Sequence, residues 1–244
     1  MGSHSLDRRI AAIAADQHGI VDCGQLRGLG LRRGGIAHRV RCGRLHPMHR
    51  GVYAVGHPVV GREGRWLAAV RAAGAGAVLS HRSAAALLGL RAASRPKVDV
   101  TTPRRSHPRT GIDVHRTSFM PPEDVTEVGL IPCTTVARTL VDLAEMLPPA
   151  EIERALGQAE INGQFDLRAL NRVVERHRKR RGAAALRRVL GKYDVTMTET
   201  RSELERRFIA CAAASKFRSR RSMRPSRCPT ASLRLRTPSG SASG

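Results

Sequence analysis

The apolar pattern of the first sixty residues changes period once, and that change decides what they can fold into. Leu6, Ile10, Ile13 and Ala14 recur at helical spacing behind Ser5, a candidate cap, and His18-Gly19 stop the helix near Gln17. Asp22 is placed to cap a short second helix from Cys23 to Arg27. The tight turn Gly28-Leu29-Gly30-Leu31 then leads into a third helix from Arg32 to Arg41, ended by Cys42-Gly43. Leu26, Leu29, Leu31, Ile36 and Val40 have the spacing to pack these helices together. After Gly43 the chain reads as extended: Arg44-Leu45-His46, a turn through Pro47 to Arg50-Gly51, and Val52-Tyr53-Ala54-Val55. Three short helices followed by a β-hairpin describe a winged helix-turn-helix. In such a module the third helix enters the major groove and the wing lies along the phosphates. The side chains expected to meet DNA are therefore Arg32, Arg33, His38, Arg39 and Arg41 on the outward face of the third helix, with Arg44, His49 and Arg50 on the wing.

Charge supports a polyanionic partner. The 244 residues carry 43 Lys and Arg against 20 Asp and Glu, a formal net charge of +23. Only four of the basic residues are Lys, a bias that a GC-rich genome also produces, so the net excess weighs more than the arginine count. Residues 1–60 hold nine Arg and three Asp, while residues 215–244 hold eight basic residues and no acid. Neutralising phosphates with such charge releases counterions and favours binding. The seven aromatic residues (Trp66, Tyr53, Tyr193, Phe119, Phe165, Phe208 and Phe217) are too few for single-strand stacking platforms, which leaves double-stranded DNA as the expected partner. No stretch approaches the ~18 apolar residues of a membrane helix, and the apolar run Ile10 to Ala15 is too short for a signal peptide, so the cytoplasm is the expected location. Cys23, Cys42, Cys133, Cys211 and Cys228 form no C-x-x-C pair, which argues against a zinc knuckle or a disulfide scaffold.

The fold class expected is α+β: the winged helix over residues 1–60, a mixed α/β and helical domain over 61–192, a remnant helix over 193–214, and a disordered Arg/Ser/Pro-rich tail over 215–244. Within the second region, helices are expected from Arg62 to Ala73, from Arg82 to Leu88 behind Ser80 as cap, and from Thr134 or Thr135 to Met146. Three more amphipathic helices fall near 149–161, 166–178 and 182–190. Ala77 to Leu79, Val98 to Thr101, Gly111 to Arg116 and Val125 to Ile131 read as strands.

Four blocks together resemble the AbiEi family of antitoxins of type IV toxin–antitoxin systems, in its actinobacterial form. They are Gly19-Ile20-Val21 with Gln25-Leu26, Arg50-Gly51-Val52-Tyr53-Ala54-Val55-Gly56, Leu79-Ser80-His81-Arg82-Ser83-Ala84-Ala85, and Thr139-Leu140-Val141-Asp142-Leu143-Ala144. The resemblance spans roughly residues 10–190. It implies an autorepressor that binds its own promoter, as a homodimer on DNA, and a second domain with a functional link to a toxin that needs no direct contact with it. Gly34-Gly35 inside the third helix departs from that pattern, at roughly 1 kcal/mol of helix stability per Gly.

Thr200 to Phe208 resembles the first helix of a very-short-patch-repair-like endonuclease domain, which continues many such proteins. That chemistry needs clustered carboxylates to hold a metal, and no Asp or Glu follows Glu205. The resemblance thus implies a truncated or frameshifted nuclease domain and no enzymatic activity. The competing readings are a nuclease with an incomplete site and a non-specific nucleic-acid binder. No cofactor, metal or catalytic residue is expected. His46 and His49 flank Pro47 without neighbouring acids, and Ser80-His81 reads as a helix cap rather than a nucleophile. Arg176 to Arg181 reads equally as a second phosphate contact or as a solvated helix end.

Overall fold

The computed structural model describes residues 3–93, 95–103 and 109–191, so the readings of 193–214 as a nuclease remnant and of 215–244 as a tail concern residues outside those described. The described fold is α+β. Helices α1 (Ser3–Asp16), α2 (Cys23–Gly28) and α3 (Arg33–Arg41) pack on a three-stranded antiparallel sheet of β1 (Ile20–Asp22), β2 (Leu45–His49) and β3 (Val52–Val55), in the order β1-β3-β2. This is a winged helix-turn-helix. Its own core is Ile10, Ala14, Val21, Leu26, Leu31, Ile36 and Leu45. Strand β1 has only three residues, too few for a local period, and exists because Val21 sits opposite Tyr53 on β3.

Asp22 ends β1 and caps α2. Its carboxylate accepts from the backbone N–H of Gly24 and Gln25, and the Gln25 side chain accepts from the Asp22 N–H, forming a reciprocal capping box. Asp22→Ala is expected to cost about 1 kcal/mol of unfolding free energy, read as a lower denaturant midpoint at unchanged slope. Asp22→Asn keeps the cap and should cost less.

The second part begins with α4 (Arg62–Ala73), β4 (Val78–Leu79) and α5 (His81–Leu87), continues through β5 (Val98–Thr102), β6 (Ile112–Arg116), β7 (Val125–Val128) and β8 (Ile131–Thr134), and ends with helices α6 (Val136–Ala144), α7 (Pro149–Ile161) and α8 (Leu167–Arg176) and the helix over residues 181–191, α9. Its five-stranded sheet has the order β6-β5-β4-β8-β7, with β5 parallel to β6, β4 parallel to β8, and the other pairs antiparallel. The single strand expected from Val125 to Ile131 is instead a hairpin. Gly129 (φ 55°) and Leu130 (φ 64°) form its two-residue loop, and Val128 pairs with Ile131. Left-handed backbone suits Gly and not Leu, so only half of that turn carried a sequence signal.

The two parts share a core. Ile20, Val52 and Ala54 of the winged helix pack with Trp66, Leu67 and Val70 of α4 and with the central sheet. A Cβ on Gly64 would lie 2.6 Å from the His18 carbonyl oxygen, so a glycine is what lets α4 approach the α1–β1 turn this closely. Residues 1–193 accordingly form one compact unit that spans the expected boundary at residue 60. Among the described residues no helix is long and apolar enough to cross a membrane.

Candidate nucleic-acid interface

Helix α3 is held at its start by close packing rather than by a cap: Arg32 occupies the N-cap position without a side-chain bond to the helix. A Cβ on Gly35 would lie 2.9 Å from Leu31 Cδ2, so Gly35 lets the helix settle against the turn before it. Gly34 has open space around it, and nothing in the structure explains it.

Arg32, Arg33, His38, Arg41 and Arg50 are exposed, as a DNA-reading surface requires. Arg39 is a correction. It is only 6% exposed, its Nε donates to Asp7 Oδ1 at 2.7 Å, and its Nη1 donates to the Gly35 carbonyl at 3.3 Å. It faces inward because Asp7 of α1 lies across from it, and it clamps α3 to α1. Arg44 shares the other Asp7 oxygen but keeps half its side chain in solvent. His49 is partly buried, and burial first, then the nearby Arg109 guanidinium, lowers its pKa.

A cleft of ≈ 1820 Å³ opens beside this surface. From the winged module, Arg33 and Arg41 of α3, Arg50 and Tyr53 of the wing, and Arg27 of α2 line it. From the second part, Arg71, the Gly74–Ala77 turn, Arg109, Glu127, Leu130 and Pro132 line it. Arg27, Arg71 and Arg109 were not recognisable as site residues from sequence, since each lies in a segment whose local pattern says only helix or loop.

The second part buries a polar centre. Ser80 occupies the N-cap of α5 as expected, but its side chain makes no capping bond. The Thr101 hydroxyl donates to Ser80 Oγ at 2.7 Å, and Ser80 Oγ lies 2.9 Å from His81 Nδ1. The His81 ring stacks on His115 at 3.7 Å, and His115 Nε2 lies 2.9 Å from Asp99 Oδ1. His81 is 3% exposed at φ 50°, and burial, reinforced by His115, lowers its pKa to about 3. Serine and imidazole here hold each other inside the core. Arg138 of α6 reaches Asp124 at 2.9 Å and Asp142 at 3.0 Å, and Arg176 and His177 close on the same Asp124. Arg180 bonds Asp142 and, with both Nε and Nη2, Glu145. Arg176, His177 and Arg180 therefore take part in this network. Arg178, Lys179 and Arg181 remain exposed, Arg178 beside Glu175 at 3.5 Å.

No protein-family model matches the chain, and no curated protein matches it. Among solved structures, the chain is similar to the crystal structure of the RV2827C protein from Mycobacterium tuberculosis, with a TM-score of 0.44 and 19% identity over 70% of this chain and 71% of that one.

Proposed function

We propose that this chain is a sequence-specific, DNA-binding autorepressor of the AbiEi antitoxin type, reading its own promoter in the cytoplasm as a homodimer. The observation that carries the reading is the surface of α3 and the wing, where Arg32, Arg33, His38, Arg41 and Arg50 are all exposed beside a cleft lined by further arginines. A helix with outward basic side chains next to a basic hairpin suits simultaneous contact with base edges and phosphates. The antitoxin part of the reading, with its functional link to a toxin, is supported by the sequence blocks that resemble the AbiEi family.

Mobility shifts with the gene's own upstream DNA test it. Arg33→Ala and Arg41→Ala should each cost about 1–3 kcal/mol on the promoter and relax its specificity, whereas Arg50→Ala should weaken promoter and random DNA alike. Arg39→Ala should instead lower the melting temperature, because it breaks the tie to Asp7. Equal affinity of the wild-type protein for promoter and random duplex at physiological salt would sink the reading.

A further inference from the structure

We propose that the second part of the chain supplies a phosphate-backbone contact through Arg109, which grips from across the cleft the DNA strand that the wing follows. The inference rests on the DNA-binding reading above. Arg109 lies just before β6, far in sequence from the wing, yet it lines the same cleft as His49 and Arg50. Its charge is close enough to act on His49. Arg109 is partly exposed, and its Nε, shielded from solvent, has no hydrogen-bond partner among the described residues, so that nitrogen is not held by another side chain.

Charge balance points the same way. The cleft is lined by six arginines, Arg27, Arg33, Arg41, Arg50, Arg71 and Arg109, and by two carboxylates, Asp22 and Glu127. Asp22 is already engaged by the α2 cap and by Arg71 at 3.3 Å. Like charges gathered around one cleft repel one another, and that cost is offset when a polyanion lies among them. A phosphodiester chain meets the need, since its oxygens are spaced along the cleft and accept from a planar guanidinium in two directions.

The test compares Arg109→Ala with Arg168→Ala, which removes the same charge from an exposed position on α8 outside the cleft. Promoter and random-duplex affinities are measured over a salt series, with melting temperatures as the folding control. Loss of one phosphate contact should reduce the slope of log K against log[salt] by about 0.9, and weaken both duplexes about fivefold at ~0.15 M salt. Arg168→Ala should leave the slope nearly unchanged, and Arg109→Lys should recover part of the affinity. If the wild-type protein prefers its promoter but Arg109→Ala behaves like Arg168→Ala, this inference is overturned while the functional reading stands. If the wild type shows no promoter preference, the functional reading itself falls. Tighter binding to RNA than to duplex DNA would also overturn the assignment of the cleft.

Discussion

Arg138→Met is expected to lower the stability of the fold by about 3–5 kcal/mol, read as a large drop in the urea midpoint at unchanged slope. The guanidinium is 1% exposed and bridges two carboxylates that are themselves fully buried, Asp124 and Asp142. Burial works to raise the Asp124 pKa, but hydrogen bonds from His177 and Arg138 hold it below the usual range, so it stays ionised. Removing Arg138 leaves Asp124 with Arg176 and His177, and leaves Asp142 with Arg180 alone. Asp142 Oδ2 already has no hydrogen-bond partner among the described residues, so that carboxylate has little to spare. Arg138→Lys should recover only part of the loss, because one ammonium cannot span two carboxylates in the geometry of a guanidinium. A loss below about 1 kcal/mol for Arg138→Met would mean that the network is not a determinant of stability.

The second large effect is acid sensitivity carried by His81. Its folded pKa is about 3 against 6.5 for the free side chain, so the unfolded chain binds the proton more readily. The contribution is fully present above pH 6.5 and is lost as pH falls towards 3, with a slope of up to about 1.4 kcal/mol per pH unit. Protonation inside the core would place a charge against the stacked His115 ring, with the Arg180 charge also opposing it and Asp99 and Glu145 offsetting only part of the cost. Asp124, whose folded pKa is lowered, adds its own loss only as pH falls below about 3.8, whereas His49 and His177, whose folded pKa values are also lowered, lose stability in the same direction below pH 6.5, so the His81 share is the difference between wild type and variant above about pH 4.5. His81→Asn keeps a residue that tolerates φ 50° and removes the titration. Chemical denaturation of both proteins across that window should show a steep wild-type slope and a flatter variant slope. Parallel slopes would show that His81 is not the group responsible.

The elements that could be located without coordinates are those announced by neighbours a few residues away. Asp22 marks the start of α2, and the helices Arg62–Ala73 and Pro149–Ile161 lie where their apolar spacing puts them. The wing follows from the Gly43 and Gly51 turns around a short extended run. The β7–β8 turn escaped because one of its two left-handed residues is Leu130, and β1 escaped because three residues carry no period.

Side-chain roles followed a different logic. Helical periodicity put Arg39 with the outward residues of α3, but it turns inward because Asp7, 32 positions earlier, is the acceptor that makes burying a guanidinium affordable. Ser80 was placed at its cap position by local pattern, but Thr101 and His81 take its hydroxyl. Arg176, His177 and Arg180 sit in a run of basic residues that reads as surface, and carboxylates 35 to 53 positions away draw them in. Local pattern was enough for the three helices and the hairpin of the winged module, for the helices and three of the five strands of the second part, and for the basic character of the α3 and wing surface, because caps, turns and hydrophobic period act within a few residues. Which cations pair internally, that α4 joins both parts in one core, and that Arg109 lines the same cleft as the wing followed from long-range packing, because a charge's partner is fixed by chain topology and by the cost of burying it alone.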